Sequence, residues 1–201
     1  MQLTSEKALE LLNNSRGMAK DDYWIEHSIC VGNTAGVIAK ALGMDEDMAK
    51  TLGYIHDIGK RNGYGPGVIP HGYGGYKYIL SLGYGEEYAD VCLTHSYLNN
   101  DINCVAGGLP NKKRPTYKFV RDFVKNHEYN EYEKLINLCD LMCTQKVMVM
   151  EQRLVNLITR YGVFSNTVYH IKEAQKLKKY FDEKLGYNLY KLFPDVLEND
   201  F

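Results

Sequence analysis

Residues 52–60 read LGYIHDIGK, an apolar helical stretch that runs straight into His56 and Asp57, then Gly59 and Lys60. Placing an imidazole and a carboxylate side by side at the inner end of such a segment is unfavourable unless partners wait there, because an unpaired buried charge loses its hydration. What surrounds this doublet decides the fold. Upstream, Met48, Leu52 and Ile55 recur at helical spacing, so the stretch closes a helix that begins at Asp45. Further upstream a second helix covers residues 22–42. Its polar residues Glu26, Asn33 and Lys40 fall at i, i+7 and i+14, one narrow stripe on a surface otherwise made of Ile25, Ile29, Gly32, Ala35, Gly36, Ile38 and Ala39. A helix so apolar is buried on most sides, and its small residues allow close neighbours. His27 lies about 120° from the polar stripe at the helical pitch, and so points inward.

The rest of the chain also reads at helical period, with no convincing alternating strand. A first helix is expected from a cap near Thr4 or Ser5 to Arg16, a fourth over 71–82 after the loop NGYGPGVIPHGYGG, and a fifth from Glu86 to Tyr97. A polar, basic stretch over 99–116 precedes helices at 116–127, 130–144, 147–161 and 166–185. The expectation is an all-α bundle. The glycines of 63–75 are not followed by GK[ST] or preceded by a strand, so they read as close backbone approach or mobility beside His71 rather than a phosphate loop.

With 201 residues the chain suits one domain, and a formal net charge of −1 with 24% charged residues offers no electrostatic footprint for nucleic acid or an acidic membrane. Five cysteines without a framework spacing indicate reduced thiols. Cys139 and Cys143, at i,i+4, read as core residues before they read as a soft-metal pair. The N-terminus MQLTSEKALELL has no apolar signal core, and a cytoplasmic protein is expected.

Helix geometry brings the histidines together in pairs. From His27 the chain climbs about 22 Å to Leu42, turns, and descends about 16 Å to His56, so the two side chains end near one level of an antiparallel pair. His71 and His95 flank the turn at Gly83–Gly85 in the same way. Asp140, inside KLINLCDLMC, has apolar neighbours on all sides and no inward Lys or Arg near it, so it needs a cation. Alone, a histidine on an apolar face is a hydrogen-bonded core group. Six inward residues, His27, His56, Asp57, His71, His95 and Asp140, are a ligand set for one or two divalent ions such as Fe, Mn, Mg or Zn, with Fe or Mn favoured.

On these residues the sequence resembles the HD-domain superfamily of metal-dependent phosphohydrolases, through WIEHSI, YIHDIGK, IPHGYGGY, LTHSY and NLCDLM in that order. The resemblance implies an all-α HD-domain helical bundle with its metals between helices. It implies His27, His56, Asp57 and Asp140 as the minimal ligands, Asp57 as the bridge, and His71 and His95 as the extra ligands of the dinuclear branch. Thr94-His95-Ser96 stands where cyclic-dinucleotide members carry a His-His pair, so that substrate is not expected. A single domain over 1–201 follows, with a metal core at about 20–145 and a C-terminal helical extension at 146–201. The expected reaction is hydrolysis of a phosphoester or phosphoanhydride of a small nucleotide-like substrate by metal-activated water. Asp57 and Lys60 would be catalytic, Lys60 and Arg61 would bind substrate, and neither nucleic acid nor membrane would be a partner. Lys112, Lys113 and Arg114 form a solvated loop or hang over the mouth of the site. Two other readings share the ligand set: a di-iron oxygenase, and a non-catalytic nucleotide-binding module.

Overall fold

A computed structural model describes residues 1–65 and 67–198, with side chains through residue 196. The last three residues of the expected C-terminal extension, and residue 66 of the glycine-rich loop, lie outside the described residues. The described chain is all-α: α1 (Ser5–Asn13), α2 (Tyr23–Ala41), α3 (Glu46–Ile55), α4 (His71–Ser81), α5 (Glu86–Thr94), α6 (Tyr117–Asn126), α7 (Glu131–Asp140), α8 (Met150–Tyr161), α9 (Thr167–Leu185) and α10 (Pro194–Glu198). Two 3-10 turns, Ile58–Asn62 and Leu189–Leu192, join them, and no strand occurs among the described residues. No helix there is long and apolar enough to cross a membrane. All five cysteines are unbonded, and Cys139 and Cys143 are fully buried core residues.

Helix starts follow local chemistry. The Asp45 carboxylate accepts the amides of Asp47 and Met48 at 2.8 and 3.1 Å, opening α3. Asn130 and Glu133 form a reciprocal capping box that opens α7.

The core is a set of helices around α2, of which Asn33, Val37 and Lys40 are exposed beyond the first turn. Gly32 meets Gly53, and Gly36 meets the side chain of Lys50, so the order of contacts runs in opposite senses and the α2–α3 pair is antiparallel. A Cβ on Gly53 would lie 2.4 Å from the Gly32 Cα, so only two hydrogens separate the helices at this point. That close approach carries His27 and His56 to the same level. The α4–α5 pair docks on the 3-10 turn by the same device, since a Cβ on Gly59 would fall 1.9 Å from the His71 carbonyl oxygen. Gly59 therefore follows the His-Asp doublet because the backbone of α4 occupies the space of its side chain.

α1 ends at Asn13 rather than Arg16, and three helices at the centre of the bundle also stop earlier than their periodicity suggests. α3 ends at Ile55 rather than Asp57, because the His56 ring bonds the Gly53 carbonyl at 2.6 Å, the acceptor that a further turn would give to the amide of Asp57. α5 ends at Thr94 rather than Tyr97, where the Asn137 side chain takes the carbonyls of Thr94 and His95. α7 ends at Asp140 rather than residue 144, as Cys143 turns back to bridge Val147.

α9 is held to α7 by Glu131, which accepts the Tyr180 hydroxyl at 2.6 Å and the ammonium groups of Lys134 and Lys184. Partial burial works against its charge, but these three donors outweigh it and bring the carboxyl down to about 2. A carboxyl lowered in the folded state contributes stability above its unfolded value near 4.3, and that stability is lost as pH falls toward 2. Glu131→Gln is expected to reduce stability at neutral pH and to flatten the acid limb between about pH 4.3 and pH 2, as read by denaturant titrations across that range. Gly53→Ala is expected to cost about 1–3 kcal/mol by overpacking the α2–α3 contact, measurable as a fall in Tm.

Candidate metal centre

His27 sits in the second turn of α2, His56 follows α3 as its C-cap, Asp57 begins the 3-10 turn, His71 opens α4, His95 is the C-cap of α5, and Asp140 is the last residue of α7. The six converge. The Asp57 carboxylate lies at their centre, 1% exposed, with one oxygen on each side. Its Oδ2 is 3.5 Å from His56 Nε2 and 3.8 Å from His27 Nε2. Its Oδ1 is 3.4 Å from both His71 Nε2 and His95 Nε2. Asp140 Oδ1 closes the far side, 3.0 Å from His27 Nε2. His27, His56 and Asp57 form one trio with a ligand atom from each within 4.8 Å of the others, and Asp57, His71 and His95 form a second.

Burial is uneven. His56 is fully enclosed and His95 is 4% exposed, whereas the side chains of His71 and Asp140 keep 34% and 24% of their surface. Asp140 is thus half-buried at the mouth and hydrogen-bonded to His27, rather than enclosed by apolar residues as its sequence neighbours suggest.

Backbone carbonyls fix the ring orientations. His56 Nδ1 lies 2.6 Å from the Gly53 oxygen and His95 Nδ1 lies 3.1 Å from the Val91 oxygen. A carbonyl only accepts, so each Nδ1 carries the proton and each Nε2 turns a lone pair toward Asp57. This is the arrangement that orients histidine ligands in metal sites. His71 Nε2 and His95 Nε2 also face each other at 3.3 Å. His56 Nε2 and Asp57 Oδ1 are buried with no hydrogen-bond partner. Lone pairs converging on buried anionic oxygens are a poor arrangement alone and a good one around cations, so these residues fit divalent ions.

The electrostatics agree at His56 and His71; at His95 burial works downward, but the Asp57 carboxylate outweighs it and raises the imidazole. Burial pulls His56 down to about 4 and His71 down to about 3, so both are neutral near pH 7, the state that ligates. Burial works against an ionised Asp57 and Asp140, yet Lys60 and His56 around the first, and His27 beside the second, hold both below the usual carboxylate range. Lys60 donates to Asp57 Oδ2, the oxygen that faces His27 and His56. Its ammonium stands where a cation belongs, and Asp57 keeps it charged against the effect of burial. Arg61 turns away: its guanidinium lies 4.1 Å over the Tyr78 ring and its Nη2 is 3.2 Å from Met18 Sδ. His127 and His170 stay outside the cluster. His127 pairs with Glu133 at 2.8 Å, and His170, in α9, is buried and faces a small cavity shared with Leu154 of α8.

One residue that sequence reading passed over supports the cluster. Asn137 is 2% exposed, and its Nδ2 donates to the carbonyls of Thr94 at 3.0 Å and His95 at 2.6 Å. These are end-of-helix acceptors with no partner inside α5. The signal was a lone amide in the apolar run LINLC, one turn before Asp140 and on its face. Asn137→Leu keeps the volume and removes both donors. The Thr94 carbonyl keeps the Tyr97 amide, but leaving the buried His95 carbonyl unsatisfied is expected to cost about 1–3 kcal/mol, read by chemical denaturation, with Asn137→Asp failing to restore it because a carboxylate cannot donate.

The HD domain family model matches residues 24–142, more than half of the chain and a span that holds all six residues of the cluster. Ribonuclease Y of Clostridium botulinum, in strains Hall and Langeland alike, is 24% identical over 179 residues, 81% of this chain and 32% of that protein. The chain therefore spans about a third of the length of the curated relatives it matches. Among solved structures, the HD domain of the L. monocytogenes phosphodiesterase PgpH in complex with cyclic-di-AMP aligns at 14% identity and a TM-score of 0.44, covering 92% of this chain and 96% of that one. The chain belongs to the HD-domain family.

Proposed function

We propose that this chain hydrolyses a phosphoester or phosphoanhydride of a small nucleotide-like substrate, at a centre of two divalent ions held by His27, His56, Asp57, His71, His95 and Asp140. The observation that carries this reading is Asp57, which offers one buried oxygen to each of two histidine pairs. Six nitrogen and oxygen ligands without a thiolate favour Fe or Mn over softer choices. When bound, such ions acidify a water for attack and offset charge on the phosphoryl group.

The side chains have distinct tasks. His56 and His95 are pinned by backbone carbonyls and hold fixed geometry. His71 and Asp140, on opposite sides of Asp57, are the more exposed of the six, and His71 faces the adjoining cavity from which substrate arrives. Lys60 neutralises Asp57 before cations enter. With an ion held at this oxygen, the Lys60 ammonium would be released to meet a phosphoryl oxygen, which would give it a role in binding and in stabilising developing charge. Arg61 fastens the segment after the doublet to α4 through Tyr78, so its contribution to substrate binding is through the position of Lys60.

Elemental analysis of protein purified without added metal is expected to give two ions per chain, with activity toward a panel of phosphomonoesters, phosphodiesters and nucleoside polyphosphates. Asp57→Ala should abolish both metal retention and turnover, and His170→Ala should change neither. Removing the ions with a chelator should lower Tm, since a ligand at about 100 times its Kd stabilises by about 2.7 kcal/mol. Metal-replete protein that cleaves no ester, or that consumes oxygen with a polyol or phosphonate instead, would overturn the hydrolase reading.

A further inference from the structure

A cavity of about 520 Å³ opens beside the centre, with His71 the one member of the cluster on its wall. The volume lies within the roughly 300–1,000 Å³ range of small-ligand pockets. Its far wall comes from the stretch between α5 and α6, where Tyr97 and Tyr117 face it together with Asn111 and Arg114. The wall carries no carboxylate among the described residues, and Arg114 is its one permanently charged side chain. Arg114 has no ion-pair or hydrogen-bond partner for its guanidinium among the described residues, and neither do Lys112 and Lys113 beside it. The loop that presents them is ordered by its own bonds. Asn111 accepts the amides of Lys113 through its side chain and Arg114 through its carbonyl, at 3.0 and 3.1 Å, and the Arg114 carbonyl accepts the Tyr117 amide at 3.0 Å.

An unpaired guanidinium on a wall with two phenol rings, next to a centre that attacks phosphate, is a recognition site for an aromatic group with its own anion. We propose that this cavity takes the part of the substrate beyond the scissile phosphate, and that this part is a nucleoside bearing a second phosphate, with the base against Tyr97 and Tyr117 and the second phosphate on Arg114. Arg114 is then the residue that sets specificity for a doubly phosphorylated nucleoside unit. The inference rests on the hydrolase reading for the place of the scissile phosphate, but the binding it asserts does not need turnover.

The test compares adenosine 3′,5′-bisphosphate with adenosine 3′-monophosphate by calorimetric titration of the full, metal-loaded chain. The second phosphate is expected to tighten binding about tenfold, as a charge-assisted contact does, and Arg114→Gln to erase most of that gain while Arg114→Lys keeps part of it. Cleavage of adenylyl-(3′→5′)-adenosine with and without a terminal phosphate should show the same preference in kcat/KM. Equal binding of the two nucleotides by the unaltered chain, or a tenfold gain that survives Arg114→Gln, overturns the proposal. Absence of cleavage with the binding difference intact overturns the hydrolase reading and leaves this site standing.

Discussion

Asp57 is a carboxylate buried to 1% exposure with an imidazole nitrogen within 4 Å of each oxygen on either side, and the rest of the molecule is arranged around that group. An isolated charge in such a place would unfold the site or take up a proton. Here Lys60 offsets one of the two carboxylate charges of Asp57 and Asp140, and with His56 and His71 neutral the set still calls for positive charge. The site is therefore defined by demand for positive charge. Five helices and a 3-10 turn must meet for that demand to exist, so the chemistry and the tertiary fold stand or fall together.

The helix ends contribute to the same end. α3, α5 and α7 all terminate at the cluster, and the C-terminal end of a helix carries a partial negative charge. Three such ends directed at one point favour a cation independently of the ligand side chains. Ending there also frees carbonyls, and these are used: Gly53 and Val91 orient His56 and His95, and Thr94 with the His95 carbonyl is tied to Asn137. Truncated helices are thus part of the site. His27, in the second turn of α2, and His71, at the start of α4, are the exceptions, and His71 is also the most exposed ligand candidate, on the wall of the adjoining cavity.

The glycines divide into two physical classes that composition does not separate. Gly53 and Gly59 are buried at points where another backbone occupies the space of a Cβ, and they set the distance between the elements that bring the ligands. Gly63, Gly65 and Gly67 have positive φ and open surroundings, and they shape a loop at the cavity rim. Within 63–75 close approach holds in α4, where Gly72 and Gly75 lie against Cys92, while Gly63, Gly65 and Gly67 serve the turn of the loop before it, which the sequence reading did not name.

Much of the architecture was legible in the residues themselves. Local periodicity placed the helices, because an amphipathic or buried helix writes its spacing directly into the chain, and antiparallel hairpins of known rise put His27 level with His56 and His71 level with His95. Polar side chains in apolar surroundings, His56, Asp57 and Asp140, marked where something had to neutralise them. What the chain order could not express were contacts across elements: the closing of α3 by the ring of His56, the hold of Asn137 on the end of α5, the pairing of Lys60 with Asp57, and the turning of Arg61 onto Tyr78. Each depends on which groups compete for one acceptor or one charge at hydrogen-bond distance, and that competition is decided only when the helices have packed. The inventory of candidate ligands belonged to the sequence, because residue type and pitch suggest it; the division of Asp57 between two histidine pairs and the cavity beside His71 belong to the tertiary structure, because both are set by distances between segments far apart in the chain.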